Sequence, residues 1–157
     1  MLRLYQINHE TTANIGTFNA EGATNIVSPE VTFVAEARSL NNEKLNAQID
    51  HMVKCLLDAA EKYGAKVEYN VEVSYYSFTL DNHNELVKLV EDRCKKLGLE
   101  VTKAPTGGGS DANIYNRNGI CAVNLANGTE LVHTTDERLK IDEFEKITKL
   151  VLELMIN

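Results

Sequence analysis

The sequence predicts a mixed α/β (α+β) fold that is divided into two parts, residues 1–77 and 78–157. In the first part, apolar and polar residues alternate over short stretches, which is typical of half-buried strands. In both parts, apolar residues also recur at three- and four-residue spacing, which is typical of amphipathic helices. The pattern changes near residues 76–79 without the Gly- and Ser-rich composition of a flexible linker, and we place the boundary there.

The first part has the order strand, strand, helix, strand. Extended chain is predicted from composition or alternation in four stretches: 11–18, 23–27, 31–38 and 67–75. Asn41 and Asn42 favour the start of a long helix, and Gly64 favours its end. This order is most of a ferredoxin-like α/β sandwich. Its first strand and most of its first helix are lacking, and residues 1–7 are interpreted as the end of that helix.

The second part alternates short strands with helices. Two apolar runs, 99–103 and 120–125, predict strands. Three helices are predicted: one from Asn82 or Asn84 to Gly98, one capped by Ser110 or Asp111, and one from Ile141. The acidic first turn of the last helix suits the helix dipole. This alternation favours the edge of a parallel α/β sheet.

Composition excludes several classes of function. The chain has 157 residues, a net charge of −7 and a pI near 5.1, which argues against a nucleic-acid surface. We expect no membrane span, because no apolar run is long enough, and we expect no secretory signal at Met1. Cys55, Cys94 and Cys121 are widely spaced within apolar patterns. They are interpreted as buried, reduced thiols, so we expect a cytoplasmic protein.

Two stretches have the composition of a functional site. Three consecutive glycines, Gly107–Gly109, let the backbone bend where a side chain would not fit. They do not form a phosphate loop, because no Gly-Lys-Ser/Thr follows. His133 comes after the next short apolar run and a turn, and it is either a metal ligand or a solvated loop residue. Asp111 either shapes the same pocket or caps a helix.

Specific motifs sharpen this interpretation. The segments PTGGGSDAN (105–113), GICAVNLANG (119–128) and ELVHTTDE (130–137) resemble the C-terminal catalytic segment of the zinc metallopeptidase family of tripeptidase T. In the first part, EGATNIVSP (21–29) and EARS (36–39) are similar to lid-domain motifs of that family. The resemblance covers nearly the whole chain and is closest to the peptidase T-like branch.

The resemblance implies a role for each part and for six residues. Residues 1–77 would be a lid (dimerisation) domain, and residues 78–157 would be the C-terminal segment of the catalytic domain of a zinc exopeptidase. The resemblance makes His133 a zinc ligand, and it places the backbones of Gly108, Gly109 and Ser110 around a short peptide substrate. Asn25 and Arg38 match lid residues that hold the substrate's carboxylate across a homodimer.

Arg38 also has an alternative interpretation, in which it binds no substrate. A surface ion pair with Glu36, or with an acidic residue of a neighbouring strand, would satisfy its guanidinium without any substrate.

The chain departs from the family pattern in one respect. In the family, two zinc ions activate a bridging water, a glutamate takes its proton, and the hydroxide attacks the scissile carbonyl. The other metal ligands and the general base precede the lid in the family's order. A zinc site needs three or four protein ligands, and this sequence offers only His133. We therefore expect a C-terminal fragment that neither holds zinc tightly nor hydrolyses peptides alone, with a possible upstream fragment as partner.

Two other functions remain open. One is an amidohydrolase on the same fold that removes acyl or carbamoyl groups from amino acids. The other is a non-catalytic dimerisation module or gene relic, in which apolar surface bared by missing neighbours would serve association.

Overall fold

The computed structural model describes residues 5–156, which fall into two compact units. Among the described residues, the first unit comprises 5–77 and Pro105–Gly109, and the second comprises Phe78–Ala104 and 110–156. The lid and catalytic roles of these units stay predictions. A small sheet and four helices lie within the described residues, which confirms the mixed α/β class.

The first unit contains a three-stranded antiparallel sheet in the order β1-β2-β3. Its strands are β1 (Tyr5–Gln6), β2 (Thr11–Asn19) and β3 (Thr32–Ser39). β2 and β3 pair from Thr11 opposite Ser39 to Asn19 opposite Thr32, with a register shift between Ile15 and Thr17. A β-bulge at this point lets the long two-stranded ribbon twist.

Helix α1 (Asn42–Tyr63) follows β3 and packs on β3 and β2. Its N-cap is Asn41, whose side chain accepts a hydrogen bond from the backbone N–H of Lys44 at 3.0 Å. The helix ends at Gly64, which takes the left-handed conformation (φ 68°) that glycine adopts without a Cβ penalty. Both predicted ends are confirmed. Leu45, in the first turns, is buried.

A polar corner fixes the start of β2 under α1. Thr11 is the most buried side chain described, with 1% of its surface exposed, and its Oγ1 lies 3.0 Å from the Ser39 Oγ. Its backbone N–H donates to the Asn8 Oδ1 at 2.9 Å. Glu10, the residue before Thr11, forms an ion pair with Lys44 of α1. The hydrogen bond that Lys44 donates in this pair lowers the pKa of the Glu10 carboxyl. The hydroxyl pair satisfies the buried polar atoms that would otherwise destabilise the corner.

Asn42 clamps the end of the first unit to the start of α1. Its Oδ1 accepts hydrogen bonds from the backbone N–H of Ser77 (2.9 Å) and from the Ser77 Oγ (3.0 Å). Its Nδ2 donates to the Ser77 carbonyl oxygen at 3.3 Å. One amide therefore holds both backbone groups of the residue that precedes the second unit.

The second unit holds helices α2 (Glu85–Lys96), α3 (Asp111–Arg117) and α4 (Ile141–Met155). α2 begins after Asn84, whose Oδ1 accepts from the backbone N–H of Leu86 at 2.9 Å. α2 packs on α4, where Cys94 and Leu150 are buried. Burial raises the pKa of the Cys94 thiol. An ion pair of 2.6 Å between Lys96 and Glu153 joins the same two helices at the surface.

Three predicted strands and one predicted extended run are wrong. Residues 67–75, 99–103 and 120–125 contain no strand, and the run 23–27 contains a turn at residues 24–25. Alternation selects a strand only where a neighbouring chain supplies backbone partners. Within the described residues no strand pairs with these segments, so their backbones are irregular.

Two smaller expectations are also corrected. Tyr5–Gln6 pair with β2 as a strand, so the helix predicted over 1–7 is wrong there, and residues 1–4 lie outside the described residues. Cys94 is buried, but Cys55 and Cys121 are exposed, because an apolar pattern near a cysteine does not fix its side of the helix or segment. Across residues 5–156, no helix combines the length and apolarity needed to cross a bilayer.

We expect the Asn42→Ala substitution to lower the free energy of unfolding by about 1–3 kcal/mol, because the Ser77 backbone groups lose their hydrogen-bond partners. The matched control is Asn46→Ala, the same substitution at an exposed position of the same helix. Urea unfolding followed by circular dichroism compares the two. Equal stability of both variants would show that the clamp contributes nothing.

Candidate functional site

His133 lies in a loop of unusual backbone geometry. Both Leu131 (φ 53°) and His133 (φ 64°) adopt the left-handed conformation, which costs energy for residues other than glycine. Non-glycine residues in this region cluster at functional sites, where the surrounding structure holds them. The strain draws attention to His133 independently of any motif.

The loop is closed at its base by a short antiparallel bridge. The backbone N–H of Glu130 donates to the Arg138 carbonyl oxygen (2.8 Å), and the N–H of Arg138 donates back at 3.2 Å. The Glu130 carboxylate also binds the Lys140 Nζ at 2.7 Å and the Arg138 Nε at 2.8 Å. The hydrogen bond from Lys140, followed by that from Arg138, lowers the pKa of Glu130. These side-chain contacts lie beside the backbone bridge at the base of the loop.

Inside the loop, the His133 backbone is held while its ring is left open. The His133 N–H donates to the Glu137 Oε2 at 2.7 Å, and the Thr134 N–H donates to the Leu131 carbonyl oxygen at 3.2 Å. The side chain of His133 is exposed, and no hydrogen bond to its imidazole occurs within residues 5–156. A presented, unpaired imidazole can accept a metal ion or a proton.

The turn that leads into this loop rests on α4. Gly128 has a φ of 79°, and a Cβ built on it would lie 2.8 Å from the Glu143 Cβ. Only glycine satisfies both the conformation and the close approach. The turn at Gly128 therefore packs closely on Glu143 of α4, five residues before His133.

The glycine loop is held by an aromatic ring. A Cβ on Gly109 would lie 2.5 Å from the Tyr75 Cδ2 and 2.6 Å from the Cε2, so the ring occupies the space that a side chain would need. Gly107, two residues earlier, has open space around it. The alternating pattern around Tyr75 predicted a strand residue and missed this contact, because periodicity cannot show what a side chain packs against.

Ser110 sits at the start of α3 with its hydroxyl engaged. Its backbone N–H donates to the Asn113 Oδ1 at 3.0 Å, which caps the helix. Its Oγ lies 3.2 Å from the Asn124 Oδ1 and 3.0 Å from the Asn124 Nδ2. Asn116 binds the same segment, because its Nδ2 donates to the carbonyl oxygens of both Ala112 and Ala122 at 2.8 Å. Of the two residues predicted to cap this helix, Ser110 is the N-cap, and Asp111 is the first residue of α3.

Asn25 and Arg38, the two residues that match lid-domain motifs, lie at opposite ends of the β2–β3 ribbon. Asn25 is exposed in the connection between the strands, beyond Thr32. Arg38 is near the other end of β3, opposite Thr12. Six residues separate Arg38 from Thr32, which is roughly 20 Å of strand. Within one chain, Asn25 and Arg38 therefore do not bind the same atom.

Arg38 is paired with Glu36. The Arg38 Nε lies 2.5 Å from the Glu36 Oε1, and its second nitrogen lies 3.1 Å from the Oε2. This hydrogen bond raises the pKa of Arg38. The pair is half exposed, so it contributes little to stability, and an incoming carboxylate can compete for the guanidinium.

We expect the Gly109→Ala variant to displace the Tyr75 ring, because the new Cβ would overlap it, and to lose about 1–3 kcal/mol of stability. Gly107→Ala is the matched control in the same loop. The measurements are urea unfolding and the NMR shifts of the Tyr75 ring protons. Unchanged Tyr75 shifts in Gly109→Ala would contradict the packing of Tyr75 on Gly109.

Comparison with known proteins gives a consistent result. A tripeptidase structure from Staphylococcus aureus subsp. aureus Mu50 is 40% identical with a TM-score of 0.88, covering 96% of this chain and 40% of that protein. The aminopeptidase PepT structure from Bacillus cereus is 39% identical with a TM-score of 0.82, covering 97% of this chain and 41% of that protein. The uncharacterized protein YqjE of Bacillus subtilis (strain 168) is 40% identical over 152 residues, which are 97% of this chain and 41% of YqjE.

The chain spans about two fifths of the length of these proteins. The family model described as Peptidase family M20/M25/M40 matches residues 6–157. The resemblance inferred from the motifs is confirmed: the chain belongs to Peptidase family M20/M25/M40.

Proposed function

We propose that this chain supplies the lid domain (1–77) and the C-terminal part of the catalytic domain (78–157) of a zinc-dependent, peptidase T-like aminopeptidase. The substrates are short peptides such as tripeptides. Support comes from the family match together with the similarity to a tripeptidase and to an aminopeptidase. The observation that carries the proposal is His133, an exposed imidazole on a closed loop that holds a strained backbone.

The residues described do not form a zinc site by themselves. His133 suits one ligand position, because neutral imidazole is a good donor to zinc. A catalytic or structural zinc site has three or four protein ligands, and no group of three His, Cys, Asp or Glu residues is placed to hold a metal in the part of the chain that the structure describes. The proposal therefore requires further ligands and a general base from a polypeptide segment outside these residues, and the chain alone is inactive.

The remaining site residues bind the substrate in this proposal. Gly108, Gly109 and Ser110 line the pocket mainly through backbone groups, because the Ser110 hydroxyl is already engaged with Asn124. Arg38 offers a planar guanidinium suited to a carboxylate once Glu36 releases it. Asn25 adds an exposed amide at the other end of the ribbon. Since one chain keeps Asn25 and Arg38 far apart, they contact different ends of one substrate or belong to the sites of different subunits.

A homodimer through the first unit is also proposed. The rings of Phe18 and Phe33 stack at a centroid distance of 6.2 Å, yet 67% and 40% of their surfaces are exposed. An exposed aromatic pair on a β-ribbon is suited to cover by a second protomer. The protein is expected to act in the cytoplasm.

A chimeric enzyme tests the proposal. In it, this chain replaces the matching part of the Staphylococcus aureus tripeptidase, which supplies the rest of the site. We expect zinc-dependent tripeptide hydrolysis by the chimera. The His133→Ala variant should lower kcat/KM by at least about 100-fold, since even loss of an outer-shell partner costs 10–100-fold.

The matched control is His83→Ala, which removes another exposed histidine of the second unit. It should leave kcat/KM unchanged, and circular dichroism should show that both variants are folded. A folded His133→Ala chimera with normal activity would contradict the proposal. Activity on acyl amino acids without peptide hydrolysis would favour the deacylase alternative.

A further inference from the structure

The solvent-exposed side of α1 presents a histidine and a cysteine one helical turn apart. His51 and Cys55 are four residues apart, a spacing that places both side chains on one face of a helix. The Cys55 Sγ lies 3.7 Å from the His51 Nε2 and 4.0 Å from the Nδ1. Both side chains are exposed, whereas Leu45 of the same helix is buried. An incoming ligand can therefore reach this pair without any rearrangement of the unit.

The separation of these two donor atoms matches the bite of a chelate. Zinc binds thiolate sulfur at about 2.3 Å and imidazole nitrogen at 2.0–2.1 Å, and a tetrahedral angle between them puts the two atoms about 3.5 Å apart. The observed Sγ–Nε2 distance of 3.7 Å is close to that value, but the sulfur is almost as near to Nδ1 (4.0 Å), so it faces the ring between the two nitrogens. The exposed imidazole must rotate before one nitrogen lone pair and the thiolate point at a common cation. Thiolate and imidazole are also the donors preferred by zinc and similar borderline-soft ions.

We propose that His51 and Cys55 form a two-ligand binding site for a borderline-soft divalent cation such as Zn²⁺. The cation takes the Cys55 thiolate and one His51 nitrogen, and it releases the thiol proton on binding. Its remaining positions are filled by water or by an outside ligand. This site is independent of the proposed peptidase site, because it uses neither His133 nor the glycine loop.

The neighbouring charges explain why the site has two ligands and not three. Asp58 lies three residues beyond Cys55 along the same side of α1, but its carboxylate is held by Lys54, with Nζ–O distances of 2.6 and 2.8 Å. The hydrogen bond to Asp58 raises the pKa of Lys54. No third His, Cys, Asp or Glu side chain completes a cluster here among residues 5–156. The affinity should therefore be weaker than that of a structural zinc site.

The test is a metal titration of the full 157-residue chain under reducing conditions, by calorimetry with Zn²⁺ and by absorption with Co²⁺. We expect thiolate-to-Co²⁺ absorption and a Zn²⁺ affinity that falls by at least about tenfold in His51→Ala and in Cys55→Ser. Cys55→His keeps a nitrogen donor at the same spacing, so it should retain Zn²⁺ binding and lose only the thiolate absorption.

The matched controls are His83→Ala and Cys121→Ser, which remove an exposed histidine and an exposed cysteine elsewhere. They should leave Zn²⁺ affinity unchanged. The proposal is overturned if His51→Ala and Cys55→Ser bind Zn²⁺ as the wild type does. It is also overturned if His133→Ala alone abolishes binding, a result that leaves the peptidase proposal intact.

Discussion

A shortage of buried apolar surface constrains the whole chain. Its accessible surface is 12683 Å², whereas two independent compact domains of half its mass would expose roughly 9,500 Å² together. The described core consists of four apolar side chains: Leu45, Cys94, Ala112 and Leu150. Polar contacts add to this core in both units, such as the Asn42–Ser77 amide contact and the hydrogen bonds of Asn116 to Ala112 and Ala122. Such contacts fix local geometry, but they do not replace the free energy of a larger core.

The predicted helices were confirmed because their signals are local. Asn41 and Gly64 bound α1 through contacts within a few residues of each end, and Asn84 starts α2 in the same way. Strands depend on distant partners, and for this reason the alternation at 67–75 predicted a strand that the described residues do not form. That alternation remains a signature of burial on one face. Tyr69, Val71 and Tyr75 of this segment are exposed in the structure.

The candidate site was predictable only in part. The motifs identified His133 and the glycine loop, but they could not reveal that the backbone of His133 is left-handed or that Glu130 closes its loop. They also could not show that Tyr75 packs on Gly109, because that contact joins residues far apart in the sequence. Motif matching finds which residues carry chemistry, whereas the contacts that position them come from tertiary packing.

The central claim is that the chain presents one imidazole of a zinc peptidase site without the companions that hydrolysis requires. The most direct test is a tripeptide hydrolysis assay on the purified chain, with Zn²⁺ added. The account predicts no turnover above that of the metal alone. Turnover that disappears with a chelator and with His133→Ala would contradict it, because the chain would then complete a catalytic metal site by itself.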